Sequence, residues 1–172
     1  MVGYMGVGKS SSGRRLARLM GVPFFDTDEA LRSQHGGTIP QLFAQHGQGG
    51  FRQLERKVLM DMATAHPDAL ISTGGGVACH ADNMDFMRAN GVVVYLKMGA
   101  DDLTDRLQGK SDERPLLAGV SAEALPQFIA KHLAEREVHY RKANITVDAA
   151  HLDGERLNSV RNLIEAEWAV KP

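Results

Sequence analysis

The sequence predicts an α/β fold, a parallel sheet covered by helices on both faces. A glycine-rich loop, GYMGVGKS at 3–10, opens a stretch with helical spacing. Short apolar runs recur at 22–25, 69–73 (ALIST), 92–96 (VVVYL) and, more weakly, 145–147; ALIST and VVVYL are continuous, the pattern of strands buried on both sides. Helical stripes lie between them, and such alternation joins parallel strands through helices. With 172 residues, 43% of them hydrophobic, the chain suits one domain with a sizeable core.

The loop has the full GxxxxGKS spacing, with Gly3, Gly6 and Gly8 framing Tyr4, Met5 and Val7 before Lys9, Ser10 and Ser11. Glycines let the backbone turn tightly enough to aim successive N–H groups at phosphate oxygens. Lys9 is expected to reach the β- and γ-phosphates, and the Ser10 hydroxyl to coordinate Mg²⁺. Leu16, Ala17, Leu19 and Met20 continue the segment at helical spacing, and Gly21 supplies a stop. A helix starting at the loop points its positive dipole end at the phosphates. Such loops follow a buried strand of about 5–6 residues, yet only Met1 and Val2 precede Gly3. The first strand is therefore expected to be very short, or the chain to lack its natural beginning. Three further stripes are expected to face the core: Phe51, Leu54, Val58, Leu59 and Met62; Phe128, Ile129 and Leu133, on a helix carrying Arg136; and Leu157, Val160, Leu163, Ile164 and Trp168.

Composition excludes several classes. Twenty basic and 21 acidic residues nearly cancel, so no field for nucleic acid or a membrane surface is implied. Apolar runs such as GVVVYLKM (91–98) are far too short to cross a bilayer, and no signal peptide precedes the loop. The lone cysteine, Cys79, excludes an intrachain disulfide framework and fits a reducing cytoplasm. It is read as a small residue beside a buried turn. No partner-binding stripe remains after the core is assigned, so a monomer is expected.

Candidate chemistry gathers at strand ends, where open α/β sheets bind ligands. Asp26 and Asp28 follow the 22–25 run. One carboxylate could hold Mg²⁺ through water while the other faces a hydroxyl substrate; alternatively, Asp28 caps the next helix. Gly74, Gly75 and Gly76 follow ALIST, and three glycines let backbone approach a ligand more closely than a plain turn requires. Arg52 has Glu55 one helical turn later, able to orient its guanidinium. Arg52 and Arg136, if they converge, suit a carboxylate. The stretch GKSDERPLLAG (109–119) reads as a flap, and an arginine on it could neutralise charge on a transferring phosphoryl group while water is kept out.

In order, GYMGVGKS, FFDTD, GGFRQLE, STGGGV, RPLL and REVHY followed by Ala143 resemble the shikimate kinase family, over essentially Gly3 to Val147. The resemblance implies a P-loop NTPase-type three-layer sandwich with a five-stranded parallel sheet, like the nucleoside-monophosphate kinases. It implies a single domain over 1–172, with a substrate-binding region at about 27–60 and a lid at about 109–120. It further implies transfer of the γ-phosphate of ATP to the 3-hydroxyl of shikimate, in aromatic amino-acid synthesis. Lys9, Asp28 and Arg114 would be catalytic, and Ser10 and Asp26 would hold the metal. Gly3, Gly6, Val7, Gly8, Ser11, Arg106 and Arg114 would join Lys9 and Ser10 at the nucleotide. Asp28, Arg52, Gly74, Gly75, Gly76 and Arg136 would bind shikimate. The chain departs from the family pattern at Gln48, usually acidic, and at Val138, usually proline. Its adenine contacts are expected around 149–153. Two other readings are a kinase for another hydroxy acid such as gluconate, and a non-catalytic nucleotide-binding module. The first shares a carboxylate that paired arginines would accept; the second would be expected to lose Asp28 or a clamp arginine, and both are present.

Overall fold

The apolar runs become four short strands in the computed structural model, which describes residues 1–109 and 115–170: β1 (Phe24–Asp26), β2 (Leu70–Ser72), β3 (Val94–Lys97) and β4 (Ile145–Asp148). Seven α-helices alternate with them among the described residues: α1 (Lys9–Met20), α2 (Thr27–His35), α3 (Ile39–Ala65), α4 (Asn83–Asn90), α5 (Ala100–Leu107), α6 (Leu125–Tyr140) and α7 (Gly154–Ala169). β1 pairs in parallel with β2, and β3 with β4.

Between the two pairs lies the start of the chain. The Val2 N–H donates to the Val94 carbonyl (2.9 Å), Leu96 N–H donates to Val2 (3.0 Å), and Thr73 N–H donates to Met1 (3.1 Å). Met1 and Val2 thus hydrogen-bond to β3 on one side and to the end of β2 on the other. Only Val2 forms a ladder bridge among the described residues there, to Tyr95, because two residues offer little backbone to pair.

Strand alternation sends successive side chains to opposite faces. Phe24 and Leu70 face α1, which comes close because Gly13 has no side chain: a methyl there would lie 2.5 Å from Phe24 and 3.3 Å from Leu70. Phe25 and Ile71 face the other way, onto a cluster of Leu31, Leu42, Phe51, Val58 and Met62 from α2 and α3. Helices therefore cover both faces, as the runs predict. The main core joins Val2, Tyr4, Leu16, Val94, Leu96, Leu103, Ile129, Tyr140 and Leu157.

Several boundaries differ from the sequence reading. The ladders are shorter than the apolar runs, since hydrophobicity marks burial and not where pairing stops. α3 is two helices merged across Gly47, whose φ of 64° breaks the helical path. The last stripe is only partly core: Leu157 and Val160 are buried, while Leu163 and Trp168 are about half exposed at 50% and 51%. Periodicity gave their side of α7 but not how far the body of the protein reaches along it. No helix among the described residues is long and apolar enough to cross a membrane.

Candidate active site

Gly8 ends the phosphate loop in the left-handed region (φ 93°) and stands as N-cap of α1; among the described residues no side chain caps that helix. The first-turn N–H groups are therefore available to an anion, and the helix dipole favours one. Lys9 is buried, its Nζ donating to the carbonyls of Gly3 (2.9 Å) and Tyr4 (2.8 Å). The ammonium is thus held over the loop. Ser10 Oγ donates to Asp26 Oδ2 at 2.5 Å, while Asp26 Oδ1 accepts the Asp28 (2.9 Å) and Glu29 (3.3 Å) N–H groups. Asp26, not Asp28, is therefore the N-cap of α2. Sequence order misled here because the helix begins one residue after the strand ends, at Thr27.

Val7, Gly8, Ser11 and Ser12 line a polar cleft with Arg15, Arg106 and the segment 149–153. Arg106 Nη1 donates to Val7 O at 3.4 Å, and Arg15 Nη1 donates to Leu152 O at 3.0 Å. Arg106 and the 149–153 segment thus lie beside the loop, as expected.

A second cavity lies against the loop at Met5. Asp28, Ile39, Phe43, Phe51, Arg52, Glu55, Gly74, Gly75, Gly76, Leu116 and Arg136 line the rest. Residues from α2, α3, the β2–α4 loop and α6 therefore meet there. Arg52 Nη1 donates to Glu55 Oε2 across one helical turn. Glu55 is almost fully buried; that burial pushes its carboxyl above the ordinary range, against the pull of Arg52, and the charge of Asp28 adds to the push.

All three glycines have a steric reason. A methyl at Gly74 would lie 2.7 Å from Asp28 Oδ1 and 3.1 Å from Glu55 Oε1, and one at Gly76 would lie 2.3 Å from Arg52 Nη1. Gly75 packs against the loop, 3.3 Å from Met5 N by the same measure. The Tyr140 hydroxyl, kept protonated by burial, donates to the Gly75 carbonyl at 2.5 Å. Backbone thus lies against acidic groups, a cation and the phosphate loop together.

Sequence reasoning missed Tyr140, His132 and the apolar wall of Ile39, Phe43 and Leu116. Phe51 was expected in the core, and it faces both core and cavity. Leu116 was signalled by the apolar pair in an otherwise polar flap: Leu117 is buried and anchors the segment, leaving Leu116 to line the cavity. Tyr4 Oη and His132 Nδ1 share a 2.8 Å hydrogen bond, a pairing across 128 positions that no local pattern reveals. Cys79 ends a 3-10 turn (Val77–Cys79) beside Arg136, and burial pushes its thiol up, against a nucleophile. Arg114 and most of the flap's polar half lie outside the described residues.

Comparison with known proteins supplies the family. The shikimate kinase family model matches residues 5–165. Shikimate kinase of Parabacteroides distasonis is 45% identical over 149 residues, 87% of this chain and 86% of that one. The crystal structure of shikimate kinase from Bacteroides thetaiotaomicron superposes with a TM-score of 0.85 at 35% identity, covering 98% of this chain and 96% of that one. Shikimate kinase from Acinetobacter baumannii, solved in complex with shikimate, gives 0.83 at 32% identity over 99% and 92%. Similarity at this level spans both cavities, and the chain belongs to the shikimate kinase family.

Proposed function

We propose that this kinase transfers the γ-phosphate of ATP to the 3-hydroxyl of shikimate, with the polar cleft holding the nucleotide and the second cavity the acceptor. The observation that carries the reading is the meeting of the two cavities. Met5 of the phosphate loop lines the acceptor cavity, and Gly75 packs against that same residue. A donor on the loop and an acceptor beside Asp28 would then be neighbours, as in-line transfer requires.

Lys9 and the first-turn N–H groups of α1 bind the phosphates, with Arg106 beside them. Asp28 orients the acceptor hydroxyl and takes its proton. Arg52, held by Glu55, and Arg136 grip the shikimate carboxylate, while the 74–76 backbone approaches the ring. Arg114 is assigned the neutralisation of charge on the transferring group, and Leu116 belongs to the apolar wall that would keep water out. Met1 and Val2 stand as a minimal middle strand, making the sheet five-stranded within one domain over 1–172, with the acceptor region near 27–60 and the lid near 109–120.

Ser10 and Asp26 fit Mg²⁺. Both offer hard oxygen ligands beside the phosphate loop, and Mg²⁺ takes one or two protein ligands together with phosphates and waters. Held by Ser10 and Asp26, the ion would supply positive charge against the charge that develops on the transferring phosphate. We further read the protein as a cytoplasmic monomer with no nucleic-acid or membrane partner.

The test is ADP release by purified protein with ATP and Mg²⁺, comparing shikimate, gluconate and no acceptor. Turnover with shikimate alone is expected. Equal turnover with gluconate would overturn the acceptor assignment, and ATP binding without turnover on either would favour a binding module.

A further inference from the structure

The loop after β2 is held by two side chains that have no part in the chemistry assigned so far. Thr27 Oγ1, on a fully buried residue, accepts the Gly74 N–H at 2.9 Å. Tyr140, the last residue of α6, donates its hydroxyl to the Gly75 carbonyl at 2.5 Å. A carbonyl can only accept, and burial keeps the phenol protonated, so the direction of that bond is fixed. The loop is thus tied at two successive residues.

Those ties decide where the next donor points. No peptide bond among the described residues is cis, and a planar trans peptide sets its N–H opposite its C=O. With the Gly75 carbonyl turned onto Tyr140, the Gly76 N–H is turned away from it. Tyr140 belongs to the main core and is not part of the cavity wall that Gly76 helps to form. The N–H turned from the core therefore faces the acceptor cavity. Gly76 is buried, and among the described residues no hydrogen bond takes its N–H. Buried backbone donors are rarely left so, and this one opens onto a site built for a polar ligand.

We propose that Tyr140 is a positioning residue of the acceptor site: its hydroxyl locks the Gly75–Gly76 peptide so that the Gly76 N–H is aimed at an oxygen of bound shikimate. The inference rests on the assignment of the second cavity to shikimate. Both residues of this peptide are glycines, whose backbone is freer to turn than any other, so its plane needs a restraint from outside. Rotated without the hydroxyl, it would set its own carbonyl oxygen against an acceptor oxygen, two acceptors facing each other. Arg136 stands one turn earlier on α6, with its side chain near the same hydroxyl, and a double variant separates the two routes.

The test is Tyr140→Phe, which keeps the ring and its packing on Tyr95 and removes only the hydroxyl. Expected is a rise of about tenfold in shikimate KM, with kcat and ATP KM little changed, the split of a lost binding contact. A purely structural role would lower the melting temperature and leave shikimate KM where it was, and that result overturns the proposal. In an Arg136→Ala background the rise is expected to persist; its disappearance would mean that the hydroxyl acts through Arg136, which also overturns it. The parent protein with ¹⁵N-labelled glycine gives a reading that needs no variant. Shikimate without nucleotide should move the Gly76 amide proton downfield and leave that of Gly74, already bonded to Thr27, nearly in place. If the parent turns over shikimate and the Gly76 amide stays still, the positioning role alone is wrong. If the parent neither turns over shikimate nor shifts that amide, the acceptor assignment fails and takes Tyr140 with it.

Discussion

On the proposed assignment, the phosphate loop is one piece of chain, whereas the acceptor cavity draws its polar groups from four. Gly3 to Ser12 run unbroken through loop and first helical turn, and Lys9 is fixed by carbonyls five and six positions away. The acceptor cavity takes Asp28 from α2, Arg52 and Glu55 from α3, Gly74–Gly76 from the loop after β2, and Arg136 from α6. A contiguous motif carries its geometry in its own backbone, so single changes there act through the ligand. An assembled cavity depends on how elements pack, so its residues are coupled and a distant change reaches the substrate through its neighbours.

The sharpest way to break this comparison is Asp28→Asn, because Asp28 lines the second cavity and lies two residues after Asp26, the partner of Ser10. Turnover is expected to fall by about 10²-fold or more, with equilibrium ATP binding nearly unchanged. A parallel loss of ATP affinity would mean that Asp28 serves the phosphate side. Arg136→Ala comes next. Losing one charge-assisted contact to a carboxylate is worth roughly 10- to 100-fold in binding, and the loss should appear in the shikimate KM and not in the ATP KM. An unaltered shikimate KM removes Arg136 from the clamp.

Coupling within the assembled side is tested by Gly76→Ala. The backbone there is ordinary right-handed, φ −92° and ψ −16°, so strain is not the issue. The new methyl would collide with Arg52 and push it off Glu55. A rise of about tenfold in shikimate KM is expected, similar to Arg52→Ala, and the double variant should be little worse than either single one. Additive losses would show that Gly76 and Arg52 act separately.

The same contrast explains what the sequence could and could not reveal. GYMGVGKS was readable because spacing alone sets its geometry, and Arg52–Glu55 because one helical turn sets theirs. The triple glycine was readable as an excess over what a turn needs, though not that Asp28, Glu55 and Arg52 were the groups it makes room for. Tyr140 on the Gly75 carbonyl and His132 on Tyr4 were invisible, since both join α6 to segments 65 and 128 positions away. The half-exposed end of α7 was misread for a related reason: a stripe has a period but no marker for where its partner surface ends. Asp26 as cap was missed by two positions, within the ordinary play of helix starts.

His132 blurs the comparison, because it ties the acceptor-side helix to the phosphate loop, and it makes the smallest prediction. Burial lowers its pKa to about 4, helped by the Arg136 and Arg52 cations and opposed by Glu135. The folded protein therefore resists protonating this ring while the unfolded chain takes up a proton near the ordinary value of about 6.5. Between those two values the unfolded state binds more protons, so stability is fully present above about 6.5 and is lost as pH falls toward 4. His132→Gln cannot titrate. Melting curves from pH 7 to pH 4.5 should thus converge and then cross: the variant starts slightly below the parent, having lost the Tyr4 contact, and declines less steeply, by about 5 °C over the window. The other histidines titrate in both proteins and cancel in the difference. Parallel curves would mean that His132 is protonated in the folded state as readily as in the unfolded chain, and that the Tyr4 pairing is not what holds α6 to the loop.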